Sequence, residues 1–167
     1  MRQDERGDRG AGPERQERQE LAGRPEPLTV ATAALAREYA RDLVRERWGP
    51  VLDRAGQEDL IDLQLVVSEL VTNAVRHGAG LAGFEAWAVP GGVRLAVHDN
   101  SDVVPEAAYG SGALPLEHRG NGYGWPLVIR LAREISVVRR PDGGKTVSVL
   151  VPFRGAPRPS GGAGPAR

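Results

Sequence analysis

The chain has 167 residues with 22 basic and 22 acidic side chains, three histidines and no cysteine, a length that suits one domain with a substantial core. Zero formal charge removes the field that concentrates a protein on nucleic acid or anionic lipid, so neither DNA nor a membrane is an expected partner. Without cysteine there is no disulfide scaffold, thiolate zinc site, iron–sulfur cluster or thiol nucleophile, and without a signal-peptide start or an apolar run near about 20 residues the expected location is the cytoplasm.

Residues 1–27 carry 13 charged side chains and only four apolar ones, Met1, Ala11, Leu21 and Ala22. They bury too little to offset ordering and are expected to form a disordered arm. Residues 154–167 are half Gly or Pro and read as a disordered tail. The folded domain is then residues 28–153. Its first element is a helix from about Thr32 to Trp48, with Leu35, Tyr39, Leu43 and Val44 at helical spacing, stopped by Gly49-Pro50. A second helix runs from about Gln57 to His77, with Leu60, Leu63, Val66, Val67, Leu70 and Ala74 on one face and Gly78 as C-cap. Two strands follow, Phe84 to Val89 and Val93 to His98, joined by Pro90-Gly91-Gly92. From Asn100 to Asn121 no periodicity is sustained, and a loop of that length inside a domain reads as a lid. A third helix from about Trp125 to Arg133 leads into strands Ile135 to Arg139 and Thr146 to Val151 across the turn Pro141-Asp142-Gly143-Gly144. The order implies an α/β (α+β) two-layer sandwich whose mixed, largely antiparallel sheet carries three helices on one face.

Three places along this chain carry candidate chemistry. On the second helix, Asp62, Glu69, Asn73 and Arg76 form one narrow polar stripe beside the apolar face. Helical spacing alone equally suits a solvated face, but Asn is a poor residue for a helix interior, and a carboxylate and an amide one turn apart suit a hydrated Mg²⁺ and a polarised hydroxyl. At a strand end, His98-Asp99-Asn100-Ser101-Asp102 offers Asp99 as an acceptor for a buried ligand, or simply an Asx-turn. Gly120-Asn121-Gly122-Tyr123-Gly124 opens the third helix, where freed backbone N–H groups make an anion site, or a plain hinge.

Other patterns fail. A dinucleotide fingerprint needs Gly where Trp125 stands, and a P-loop ending in Gly144-Lys145-Thr146 needs Gly where Arg139 stands. His77, His98 and His118 lack metal-ligand spacing, and no nucleophile elbow is present.

In combination, the order of these motifs resembles the GHKL (Bergerat-fold) ATPase superfamily of gyrase, heat-shock chaperone, histidine kinase and mismatch-repair ATPases. Within it the likeness is greatest to the small bacterial anti-sigma factor serine/threonine kinases and stand-alone actinobacterial ATP-binding regulators. Glu69-Leu70-Val71-Thr72-Asn73-Ala74-Val75-Arg76-His77 resembles the N-box. Asp99-Asn100-Ser101-Asp102 is similar to a reduced first glycine box, Gly122-Tyr123-Gly124 to the second, and Gly144-Lys145-Thr146 to the closing Gly-x-Thr. The resemblance implies ATP and Mg²⁺ as cofactors, Asn73 as the metal-binding residue and Glu69 as the catalytic base. It further implies ATP binding by Asn73, Arg76, His77, Asp99, Ser101, Gly120, Gly122, Gly124 and Thr146, with Asp99 accepting from the adenine amino group and Thr146 supporting that contact. The implied partners are a sigma factor and an anti-anti-sigma protein carrying the acceptor serine, and relatives of this kind often form homodimers. A partner-sequestering module without catalysis is the alternative function.

Overall fold

The computed structural model describes residues 27–29, 32–49, 54–104 and 124–154. The expected arm (residues 1–27), lid (residues 100–121) and tail (residues 154–167) lie outside the described residues except at 27, 100–104 and 154. Among the described residues, three helices and four strands follow one another as α1 (Ala33–Trp48), α2 (Arg54–His77), β1 (Leu81–Val89), β2 (Gly92–Asp99), α3 (Gly124–Leu131), β3 (Arg133–Arg139) and β4 (Lys145–Pro152). The sheet order is β1-β2-β4-β3, and every pairing among the described residues is antiparallel, in line with the largely antiparallel two-layer sandwich expected. Both hairpins join sequence neighbours, which gives those pairings their direction without a crossover.

Each helix is made by the face it buries. Thr32 caps α1, its hydroxyl accepting from the Leu35 amide at 3.3 Å, and Ala36, Ala40, Val44 and Trp48 repeat every fourth residue along its buried side. In α2 the buried positions are Leu63, Val66, Val67, Leu70, Val71 and Ala74. The sheet meets both helices with alternating residues: Phe84 and Ala86 from β1, Val93, Leu95 and Val97 from β2, and Val147, Val149 and Val151 from β4. Trp48 stacks on Phe153 at 5.2 Å, and Tyr39 meets the Phe84 ring edge-on at 6.2 Å. Truncating a ring as enclosed as Phe84 to Ala costs about 3–5 kcal/mol.

Three boundaries differ from the periodicity. The second helix begins at Arg54, three residues early, because buried Gly56 is accommodated in the first turn. The third helix ends at Leu131, where Ala132 donates its last helical hydrogen bond to Val128 (2.8 Å) and buries its methyl, and β3 starts at Arg133 through a bulge with Glu134 at φ 50°. β1 begins at Leu81, pairing with Asp99 across an irregularity at Gly83 that the glycines had masked in the pattern. At the far end, Arg154 is bound to Asp59 at the start of α2 through its amide (2.6 Å) and Nε (2.9 Å), closing the domain at its C-terminal edge. Among the described residues no helix is long and apolar enough to cross a membrane.

The β3–β4 turn is held by Arg140, whose guanidinium donates to both oxygens of Asp142 and keeps that carboxyl below its ordinary range. A depressed folded value means this contribution is present above the unfolded value and is lost as pH falls through the folded one. Two glycines later in the turn have positive φ for different reasons. Gly143 (φ 93°) stands in open space, whereas a Cβ on Gly144 (φ 78°) would lie 2.0 Å from the Asp99 carbonyl oxygen. Gly143→Ala should therefore cost only the left-handed penalty of about 1–2 kcal/mol, and Gly144→Ala should cost more because backbone must move; urea unfolding of the two variants measures the difference, and equal midpoints would remove the close approach as its cause.

Candidate functional site

The helix-facing side of the sheet and the helices over it carry half of the ten expected residues: Glu69, Asn73, Asp99, Ser101 and Gly124. Glu69 and Asn73 lie half-buried one turn apart on α2, at the border between its buried and exposed faces. Glu69 packs on the start of α3: a Cβ on Gly124 would sit 2.1 Å from Glu69 Oε2. Only glycine lets the backbone come that close to the carboxylate. The Trp125 indole, next along, is half-buried against the core. Beyond Asn73, the chain leaves α2 through Gly78, whose amide donates to the carbonyls of Asn73 (3.1 Å) and Ala74 (3.0 Å). Gly78 then touches β2, since a Cβ there would be 2.6 Å from Asp99 Cβ and Cγ. Asp99 thus lies between the end of α2 and the β3–β4 turn, walled by Gly78 and Gly144.

Asp99 is 3% exposed, which makes its surroundings decisive, because a buried carboxylate needs a partner. Its partner is Lys145, the residue opposite it in the β2–β4 register. Lys145 Nζ donates to Asp99 Oδ2 at 2.9 Å and Oδ1 at 3.0 Å, and to the Ser101 carbonyl at 3.2 Å. Both side chains are 5% exposed. Removing either partner of such a pair costs about 3–5 kcal/mol because it strands the other charge. The Ser101 amide also donates to Asp99 Oδ1 (3.0 Å), so the Asx-turn is present as well. Ser101 Oγ accepts from the Val103 amide, and Asp102 Oδ1 accepts from the Gly144 amide at 2.8 Å, tying the segment after β2 to the turn before β4.

The register places Thr146 on the other side of the sheet from Asp99. Thr146 pairs with His98, and successive strand residues point to opposite faces. Its hydroxyl meets His98 Nδ1 at 2.7 Å, while His98 Nε2 meets Glu85 Oε1 at 2.7 Å, with Glu85 fully buried. Thr146 therefore does not support a contact at Asp99 as the resemblance implied; Lys145 occupies that position. This carboxylate–imidazole–hydroxyl chain was not anticipated, and neither was Lys145.

Of the remaining expected residues, Arg76 and His77 are exposed in the last turn of α2 and are not drawn in among the others, while Gly120 and Gly122 lie outside the described residues. The site so assembled is Glu69, Asn73, Gly124, Asp99, Ser101 and Lys145. Among the described residues no three His, Asp or Glu side chains cluster as a metal cage. That donor set fits a cation which takes one or two protein ligands and completes its shell with phosphate and water, as Mg²⁺ does. The glycine contacts around Glu69 and Asp99 likewise fit a nucleotide lying between α2, α3 and the sheet.

No curated protein matches the chain. The profile of the histidine kinase-like ATPase domain matches residues 27–150. That span runs from the bridge between Leu28 and Phe84 to within two residues of the end of β4 and takes in every site residue named above. A sandwich of three helices and an antiparallel four-stranded sheet, with Glu69 and Asn73 one turn apart on α2, belongs with that match: the chain is a member of the histidine kinase-like ATPase domain family, the GHKL superfamily of ATP-binding proteins.

Proposed function

We propose that this protein is an anti-sigma-type serine/threonine kinase, which binds a sigma factor and uses MgATP to phosphorylate an anti-anti-sigma partner in the cytoplasm. The observation that carries the reading is the position of Glu69, one turn before Asn73 and in contact with the backbone at the start of α3. A helix N-terminus has free N–H groups and a positive dipole end, which suit phosphate oxygens. A carboxylate beside it is where a base for an incoming hydroxyl is needed.

In this reading Asn73 would hold Mg²⁺ through its amide oxygen, and the bound cation would supply charge neutralisation for the phosphates. Glu69 accepts the proton of the partner's serine hydroxyl as that oxygen bonds to the γ-phosphorus and the bond to the leaving ADP oxygen breaks. Asp99 accepts from the base. Phosphoryl transfer depends on positioning and charge more than on covalent steps, so this short set suffices. One observation favours a second reading, a sequestering module without turnover: both oxygens of Asp99 already accept from Lys145 Nζ.

MgATP should quench or shift the emission of Trp125, and the change should vanish in Trp125→Phe, since Trp48 and Trp87 lie elsewhere in the fold. Excess EDTA should weaken that response by about tenfold or more if Asn73 acts through the metal. Glu69→Ala should keep the response and reduce partner phosphorylation by at least about a hundredfold, whereas Asn73→Ala should lose both. Thr146→Val should alter ATP affinity by less than about threefold, because its hydroxyl bonds to His98 behind the sheet. Binding without phosphorylation of any candidate partner would favour the sequestering module, and no response to millimolar MgATP would sink the nucleotide reading.

A further inference from the structure

Lys145 changes what the Asp99 position can recognise. A carboxylate alone only accepts hydrogen bonds, so it matches a 6-aminopurine, whose amino group donates, and repels a 6-oxopurine, whose carbonyl oxygen also only accepts. Here an ammonium lies 2.9 Å from that carboxylate, and both side chains are 95% buried, so a donor and an acceptor stand side by side where water competes poorly. We propose that Asp99 and Lys145 act together as a donor–acceptor reader of the purine edge, and that Lys145 is the specificity-determining residue that admits guanine as well as adenine. The inference rests on the nucleotide-binding reading above and deepens it.

The hydrogen-bond inventory leaves room for this. A carboxylate offers about four lone-pair positions. Asp99 Oδ1 accepts from the Ser101 amide and from Lys145, whereas Oδ2 accepts from Lys145 alone and keeps an acceptor position. Lys145 directs one donor to each carboxylate oxygen, and its third contact, to the Ser101 carbonyl, is the longest at 3.2 Å. That N–H is the one most easily turned to a ligand. Adenine presents a donor at position 6 and an acceptor at ring nitrogen 1; guanine presents the reverse. With carboxylate and ammonium adjacent, adenine gives its amino group to Asp99 and takes a hydrogen bond from Lys145 at nitrogen 1. Guanine takes one from Lys145 at oxygen 6 and gives its nitrogen 1 proton to Asp99. A purine with nothing at position 6 leaves one member of the buried pair unmatched and is disfavoured. Gly78 packs on the Asp99 side chain and Gly144 on the Asp99 backbone carbonyl, which together fix where the carboxylate stands for either base.

Displacement of the fluorescent analogue TNP-ATP from the full-length protein with Mg²⁺ tests this. Wild type should bind ATP and GTP within about tenfold of each other, and both more tightly than the triphosphate of purine riboside, which has no 6-substituent. Lys145→Met, close in volume but without the donor, should raise the GTP-to-ATP ratio of dissociation constants by about tenfold or more. A merely structural lysine would weaken both nucleotides together and leave the ratio where it was, which overturns the proposal. Exclusion of GTP by wild type by more than about a hundredfold overturns it too, and needs no variant to fold. If ATP itself fails to displace the probe, the nucleotide-binding reading falls and takes this inference with it; normal ATP binding with GTP excluded refutes the inference alone.

Discussion

The pairing of β2 with β4 is the constraint on which the site depends. These strands are far apart in the chain, and their register sets Asp99 against Lys145 and His98 against Thr146 on successive rungs. Alternation sends the first pair to the helix-covered side and the second to the opposite side. A slip of one residue in β4 would turn its side chains over, carrying Lys145 to the His98 face and Thr146 to the helix side beside Asp99. The valines oppose such a slip, because Val147, Val149 and Val151 would leave the core together. Hydrophobic burial along the middle of the strands therefore sets the polar chemistry at their end.

Close backbone approach is the second ingredient. Gly124 admits the Glu69 carboxylate, and Gly78 and Gly144 admit Asp99, at distances no Cβ allows. α2 contributes to both contacts, with Glu69 in its body and Gly78 just past its C-terminus. One long helix thus spaces the Asp99 carboxylate from the Glu69 carboxylate at the α3 N-terminus, and the core packing of Leu63, Val66, Val67, Leu70, Val71 and Ala74 fixes that spacing. The two carboxylates nonetheless sit in different surroundings. Asp99 is held by a lysine and an amide in a nearly dry site, whereas Glu69 is half-buried against a helix terminus.

Much of this was readable along the chain. All seven elements follow from apolar spacing and turn residues, with errors confined to ends where no strong breaker stands, as at Leu131 to Ile135, or where glycines dilute the strand pattern, as at Leu81 to Gly83. The Glu69–Asn73 stripe was legible too, since one helix sets its own faces. Thr146 faces away from Asp99, toward His98. Lys145 is in phase with Val147, Val149 and Val151, as Asp99 is with Val93, Leu95 and Val97, so period-2 alternation already carried the answer.

Local pattern, then, suffices for what depends on near neighbours: the helices, the hairpins, the amphipathic faces and the carboxylate–amide stripe, because periodicity and turn chemistry act over a few residues. Which strand lies beside which is different. That Asp99 is neutralised by a lysine 46 residues away, that Glu85, His98 and Thr146 form one buried chain, and that Gly124 meets Glu69 are results of packing two hairpins and three helices around one core. Their physical reason is burial: a charge removed from water must find a partner, and only the assembled tertiary structure decides which one is within reach.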